Sequence, residues 1–247
     1  MHHIKLTLQY DGTDFNGWQI QTRQPNSRTV QFTLESALKV LTGEDIRVVA
    51  AGRTDTGVHA RGQVVSFTTA SSIPVERYPR ALNGILPWDV VVTASQKVDG
   101  NFHARYSARQ KTYIYRIMNR PFPDIFWRRH AHHVSAELDF QAMKQAAAYF
   151  EGRHDFSSFC ASGSNVSGCV REVKSCRVTS DGGLIAVVIT ADGFLYNMVR
   201  IMAGTLLEVG LGKRKPAEVP EIIAQKDRRA AGVTAPACGL TLESVTY

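Results

Sequence analysis

The chain has 247 residues, with 44% hydrophobic and 21% charged side chains, which is the composition of a soluble globular protein with room for one large or two modest cores. An excess of Lys and Arg gives a net charge of +7 and a pI near 9.4, which favours a polyanionic partner such as nucleic acid over an acidic one. No apolar stretch approaches the length of a membrane span, and Met1-His2-His3-Ile4-Lys5 runs straight into an alternating pattern without the apolar core of a signal peptide, so the expected location is the cytoplasm.

Ile4, Leu6 and Leu8 alternate with polar residues and predict a half-buried strand ending at Tyr10-Asp11-Gly12. A polar loop follows, carrying Asp14, Asn16, Trp18, Gln19, Gln21 and Arg23. Thr29 is placed to cap a helix with apolar positions Val30, Leu34, Ala37, Leu38 and Leu41, and Gly43 is placed to stop it. Two apolar runs, residues 46–51 and 63–68, then read as strands flanking a polar loop punctuated by Gly52, Gly57 and Gly62. A hairpin needs only about two residues at its tip. The excess length displays Arg53, Asp55, His59 and Arg61 on a two-strand base, either as an ordinary charged turn or as a set of reactive groups. A helix over residues 74–86, closed by Pro87, and a strand over residues 90–98 complete the first half.

The second half repeats the order: strand 112–118, helix 140–150, strands 173–179 and 184–190, helix 195–209, an extra helix opened by Pro216, and a last strand over 240–245. Strand, helix, strand, strand, helix, strand is the ferredoxin-like unit. The expected fold is therefore α+β, with two ferredoxin-like (RRM-like) halves, residues 1–104 and 105–247, of mainly antiparallel sheet flanked by helices. Between its middle strands the second half has only Asp181-Gly182-Gly183, where the first half has the long polar loop. An element extended in one copy and minimal in the other points to function.

Aromatic and basic residues interleave from Phe102-His103-Ala104-Arg105-Tyr106 into Lys111-Thr112-Tyr113-Ile114-Tyr115-Arg116. Tyr113 and Tyr115 share one face of their strand, as a stacking platform for a base or as a packed core pair. The helix containing Arg200 is apolar nearly all round, so its guanidinium needs a partner: leaving such a charge unpaired costs roughly 3 to 5 kcal/mol. Asp55 is the functional candidate for that partner and a structural carboxylate the plain one. His130, His132 and His133 lack the accompanying ligands of usual metal sites. Residues 154–159 suit either an RNA contact or a cap on the preceding helix. Cys160, Cys169, Cys176 and Cys238 lack paired Cys-x-x-Cys spacing and read as reduced thiols.

The run Gly52-Arg53-Thr54-Asp55-Thr56-Gly57-Val58-His59-Ala60 resembles the active-site motif of the TruA family of tRNA pseudouridine synthases. The resemblance extends in order through Tyr10-Asp11-Gly12, Gly17-Trp18-Gln19, residues 102–108, 111–115, 154–159 and 194–204, which is essentially the whole chain. Tyr106 stands where many relatives have phenylalanine, and Arg171 is preceded by Val170 where threonine is frequent. The resemblance implies Asp55 as the catalytic aspartate, Tyr113 as the tyrosine that stacks on the target base, Arg200 as the partner of the Asp55 carboxylate, and Arg53 as a clamp on the flipped nucleotide. His59, Arg61, His103 and Arg105 are further substrate-binding candidates. It also implies conversion of uridine to pseudouridine at positions 38, 39 and 40 of tRNA, without cofactor or metal, by a homodimer. A non-catalytic protein of two RRM-like units fits the strand order and charge but leaves the Arg-Asp loop without a use, and an aspartate-dependent hydrolase lacks a second carboxylate or metal cluster.

Overall fold

A computed structural model describes residues 1–21, 27–162 and 168–247; Arg23 lies outside them. The described residues form two compact units, one of Met1–Arg109 with Leu242–Tyr247, the other of Gln110–Thr241.

In the first unit, β1 (His2–Tyr10) pairs antiparallel with both β3 (His59–Thr69) and β4 (Val90–Lys97), and β2 (Val49–Ala50) pairs with β3. The order β4-β1-β3-β2 is that of a ferredoxin-like sheet. The alternation read in β1 buries Ile4, Leu6, Leu8 and Tyr10 on one face. Helix α1 (Val30–Thr42) presents Val30, Leu34, Ala37 and Leu38 to the core. Thr29 caps it by accepting the Phe32 amide, and Gly43 ends it in the left-handed conformation.

The predicted helix over 74–86 is shorter: a 3-10 turn at Val75–Arg77 leads into α2 (Tyr78–Asn83). Pro79 has no amide to donate and fits only in a first turn, so the α-helix begins beside it. Strand β3 begins at His59, four residues before the predicted start at residue 63, so His59 and Arg61 belong to the strand and the polar loop closes at Val58. The end of β10 (Leu240–Thr246) lies with this unit from Leu242 onward, beside β3, where the Gly62 backbone approaches Glu243 and Ser244.

In the second unit, β5 (Gln110–Asn119) pairs antiparallel with β9 (Leu184–Ala191), β9 with β8 (Val170–Asp181), and β8 with β7 (Gly152–Asp155). A short β6 (His132–Val134) runs parallel to β5. The helices are α3 (Phe140–Ala148), α4 (Met198–Gly210) and α5 (Glu218–Gln225). Residues 154–159 do not cap α3, which ends at Ala148; they finish β7 and turn through a 3-10 segment at Ser157–Phe159. Asp155 steadies that turn by accepting the Ser157 amide and hydroxyl at 3.0 and 2.6 Å. The four cysteines are free thiols. No helix of the described residues is long and apolar enough to cross a membrane.

Candidate active site

In the first unit the polar loop is braced from beneath by residues 10–18. Trp18 donates its amide to the Thr54 carbonyl at 3.0 Å, Gly57 to the Phe15 carbonyl at 3.3 Å, and Gly12 to His59 Nδ1 at 3.0 Å. Gly17 makes this approach possible, since its φ is +82° and a Cβ there would lie 2.7 Å from the Thr54 carbonyl oxygen. The Tyr10 hydroxyl and Thr54 Oγ1 share a buried hydrogen bond of 2.8 Å, and Gln63 Nε2 donates to the Gly52 carbonyl at 2.8 Å. Burial pushes the Tyr10 phenol up to about 12. The loop is thus anchored on both sides of Asp55, while a bond from the Val58 amide to the Asp55 carbonyl at 3.1 Å turns the chain back into β3.

Asp55 is half-buried and Arg53 is exposed. His59, expected to touch substrate, is only 3% exposed, with its Nδ1 3.0 Å from the Gly12 amide and 3.1 Å from the Asp11 carboxylate, so it braces the loop from within. Arg61 is exposed on β3, with Nε 3.8 Å from the Glu243 carboxylate, a separation at which an exposed ion pair contributes little.

The segment carrying His103 and Arg105 docks near the start of the same loop, where Ala104 packs against Ala51 and Val64. His103 Nδ1 accepts the amides of Arg105 and Tyr106, each at 3.2 Å, which leaves the ring proton on Nε2. The imidazole stacks on Tyr106 with centroids 4.3 Å apart, and the Arg105 guanidinium lies 5.6 Å from the same tyrosine ring. Tyr106 is 76% exposed, so this turn presents an aromatic and basic surface of the kind that receives nucleotides.

In the second unit, Tyr113 and Tyr115 are both buried on one face of β5. Tyr115 is a core residue: it has no exposed surface, its hydroxyl donates to the Pro236 carbonyl at 2.9 Å, and burial pushes its phenol far above the ordinary range. Tyr113 keeps 8% exposure and makes a T-shaped contact with Phe194, centroids 5.1 Å apart. Arg200 lies in the first turn of α4, half-buried in a helix whose other residues are almost all buried. Its Nε donates to the Ala235 carbonyl at 2.7 Å and its Nη1 to Asn197 Oδ1 at 3.0 Å. Gly204, one turn further along α4, lets residues 232–235 lie against the helix, since a Cβ there would sit 1.8 Å from the Val233 carbonyl oxygen.

Phe194, Asn197 and Ala235 were not among the expected site residues. Phe194 and Asn197 lie within the run 194–204, but neither the ring contact nor the asparagine's conformation is written in residue type, and Ala235 acts only through its backbone. His132 is held neutral more readily than usual by burial and by His133 beside it.

These features define an α+β protein of duplicated ferredoxin-like construction, with a carboxylate on a braced loop in one half and an arginine on a buried helix in the other. A family model described as tRNA pseudouridine synthase matches residues 7–107 and 146–247. The tRNA pseudouridine synthase A of Moorella thermoacetica is 52% identical over 244 residues, covering 99% of each chain. The enzymes of the same name from Caldicellulosiruptor saccharolyticus and Brevibacillus brevis are 49% and 50% identical over 247 residues, covering 100% of both chains. The chain belongs to the tRNA pseudouridine synthase family.

Proposed function

We propose that the protein isomerises uridine to pseudouridine in the anticodon stem-loop of tRNA, at positions 38 to 40, acting as a homodimer in the cytoplasm. The observation that carries this reading is the run Gly52–Ala60 with Asp55 displayed on a braced loop, inside a family match that covers most of the chain.

The reaction breaks the bond from the sugar to uracil N1, turns the base, rejoins it through C5 and releases the C5 proton, while N1 gains one. Nothing is oxidised or hydrolysed, and the proposal accordingly includes no cofactor or metal. An anionic group is needed to attack the base or the sugar, or to steady charge as the glycosidic bond breaks. We assign that role to Asp55. Arg200 is proposed as the guanidinium that keeps this carboxylate ionised, since a nearby positive charge lowers a carboxylate pKa.

A paired base must leave the stem to be reached, at a cost of about a few kcal/mol. Arg53, exposed beside Asp55 in sequence, is assigned to the backbone of the flipped nucleotide, and Tyr113 to the face of the uracil and to the proton that leaves C5. His103, Arg105 and Arg61 supply outer contacts to the RNA, and the net charge of +7 adds general attraction. His59 serves by holding the loop. The proposed division of labour is a first half, 1–104, that carries the carboxylate and a second, 105–247, that carries Tyr113 and Arg200.

The test is incubation with tRNA tritiated at uracil C5. Release of label in step with pseudouridine formation is the expected result. Tight binding without release identifies an RNA-binding protein and defeats the proposal.

A further inference from the structure

An asparagine immediately before a helix ordinarily accepts a hydrogen bond from an amide of the first turn. Asn197 occupies that position before α4, but its side chain makes no capping bond. Its backbone carbonyl does begin the helix, accepting the Ile201 amide at 3.0 Å. Its φ of 59° lies in the left-handed region, which residues other than glycine seldom occupy and which asparagine tolerates better than most. The Oδ1 atom instead accepts from Arg200 Nη1 at 3.0 Å.

Two features of the neighbourhood complete the arrangement. Ala235 accepts from Arg200 Nε and donates its amide to the Arg200 carbonyl at 3.1 Å, so one buried residue grips both ends of the arginine. Gly204 gives the segment carrying Ala235 its close seat on the helix. Nε is therefore set by a backbone carbonyl that only a change of fold moves, whereas Nη1 donates to a side chain, that of Asn197.

We infer that Asn197 is a positioning residue for the isomerisation: from a left-handed backbone position it fixes the plane of the Arg200 guanidinium through Nη1. This rests on the reading of Arg200 as the group that serves the Asp55 carboxylate. A guanidinium is a planar fork whose value for a carboxylate depends on orientation, and a fork held before substrate arrives loses less freedom in the reaction.

Two variants separate the acceptor from the backbone. Asn197→Gly removes Oδ1 and relieves the left-handed strain; Asn197→Ala removes Oδ1 and adds strain. Both are expected to lower the single-turnover rate on C5-tritiated tRNA roughly tenfold or more, the usual weight of a hydrogen bond to a charged group, with tRNA affinity little changed. The alanine variant is expected to melt lower than the glycine variant, because it adds left-handed strain to the same lost bond. Wild-type turnover by Asn197→Gly, or rate loss confined to Asn197→Ala, overturns the inference, because strain and not the acceptor is then what counts.

A double-mutant cycle distinguishes failure of this inference from failure of the reading beneath it. Arg200→Lys cannot present the fork, so Asn197→Gly should cost nothing further in that background. If Arg200→Lys is impaired but the two losses multiply, Asn197 does not act through Arg200 and the inference fails alone. Full activity of Arg200→Lys defeats the underlying role of Arg200.

Discussion

The rings of Tyr113 and Phe194 meet in a T-shaped contact at an interplanar angle of 85°, which joins β5 to the residues just ahead of α4. With one flank held by Phe194, the tyrosine is stiffened in a position that retains 8% exposure, whereas Tyr115 two residues on has none. This contact separates the tyrosine assigned to the uracil from the one that belongs to the core.

The two roles given to Tyr113 come apart under substitution. Tyr113→Phe keeps the ring and its contact with Phe194, so tRNA affinity should remain near wild type while the single-turnover rate drops at the loss of the C5 proton. Tyr113→Ala should additionally lose stacking worth about 1 to 3 kcal/mol. Affinity and rate measured on both variants check this; a fully active phenylalanine variant means that the ring alone matters and that a bound water takes the proton.

Asp55→Asn keeps the shape of the side chain and deletes its charge. Pseudouridine formation should cease while tRNA binding changes little and the braced loop keeps its stability. Turnover close to the wild-type rate would remove Asp55 from the chemistry.

Burial raises the pKa of Tyr10 from 10.0 to about 12 and also raises that of Cys176. In each case the unfolded chain releases its proton at a lower pH than the folded one. Stability from Tyr10 is therefore complete below about pH 10 and is lost as pH climbs to about 12, with Cys176 adding loss from about pH 9 upward. Urea unfolding midpoints across this range should fall steadily for wild type and less steeply for Tyr10→Phe. Because that variant also removes the bond to Thr54, it should be less stable than wild type at neutral pH by about 1 kcal/mol.

Binding to tRNA should weaken steeply with salt, because each phosphate neutralised releases condensed counterions and adds roughly 0.7 to 0.9 to the log-log slope. Filter binding at several salt concentrations gives the slope. Arg53→Ala and Arg105→Ala should each lower it by about one phosphate's worth; an affinity independent of salt would rule out phosphate contacts as the main source of binding.

Much of this protein follows from local pattern. The alternation of Ile4, Leu6 and Leu8, the cap at Thr29 and stop at Gly43, and the spacing of Val30, Leu34, Ala37 and Leu38 each appear in the structure as read, because side-chain direction repeats every two residues in a strand and every 3.6 in a helix. The motif around Asp55 and the repeated element order were equally legible, being written in consecutive residues. Contacts between distant segments were not. That His59 is buried depends on a Gly12 amide 47 positions away, and the bond from Arg200 to a carbonyl depends on residue 235, 35 positions on. The left-handed φ of Asn197 and the joining of Leu242–Tyr247 to the first unit have the same origin. A backbone carbonyl carries no residue type, and the sign of φ is set by what packs around it, so only the assembled tertiary structure decides which buried polar group meets which partner.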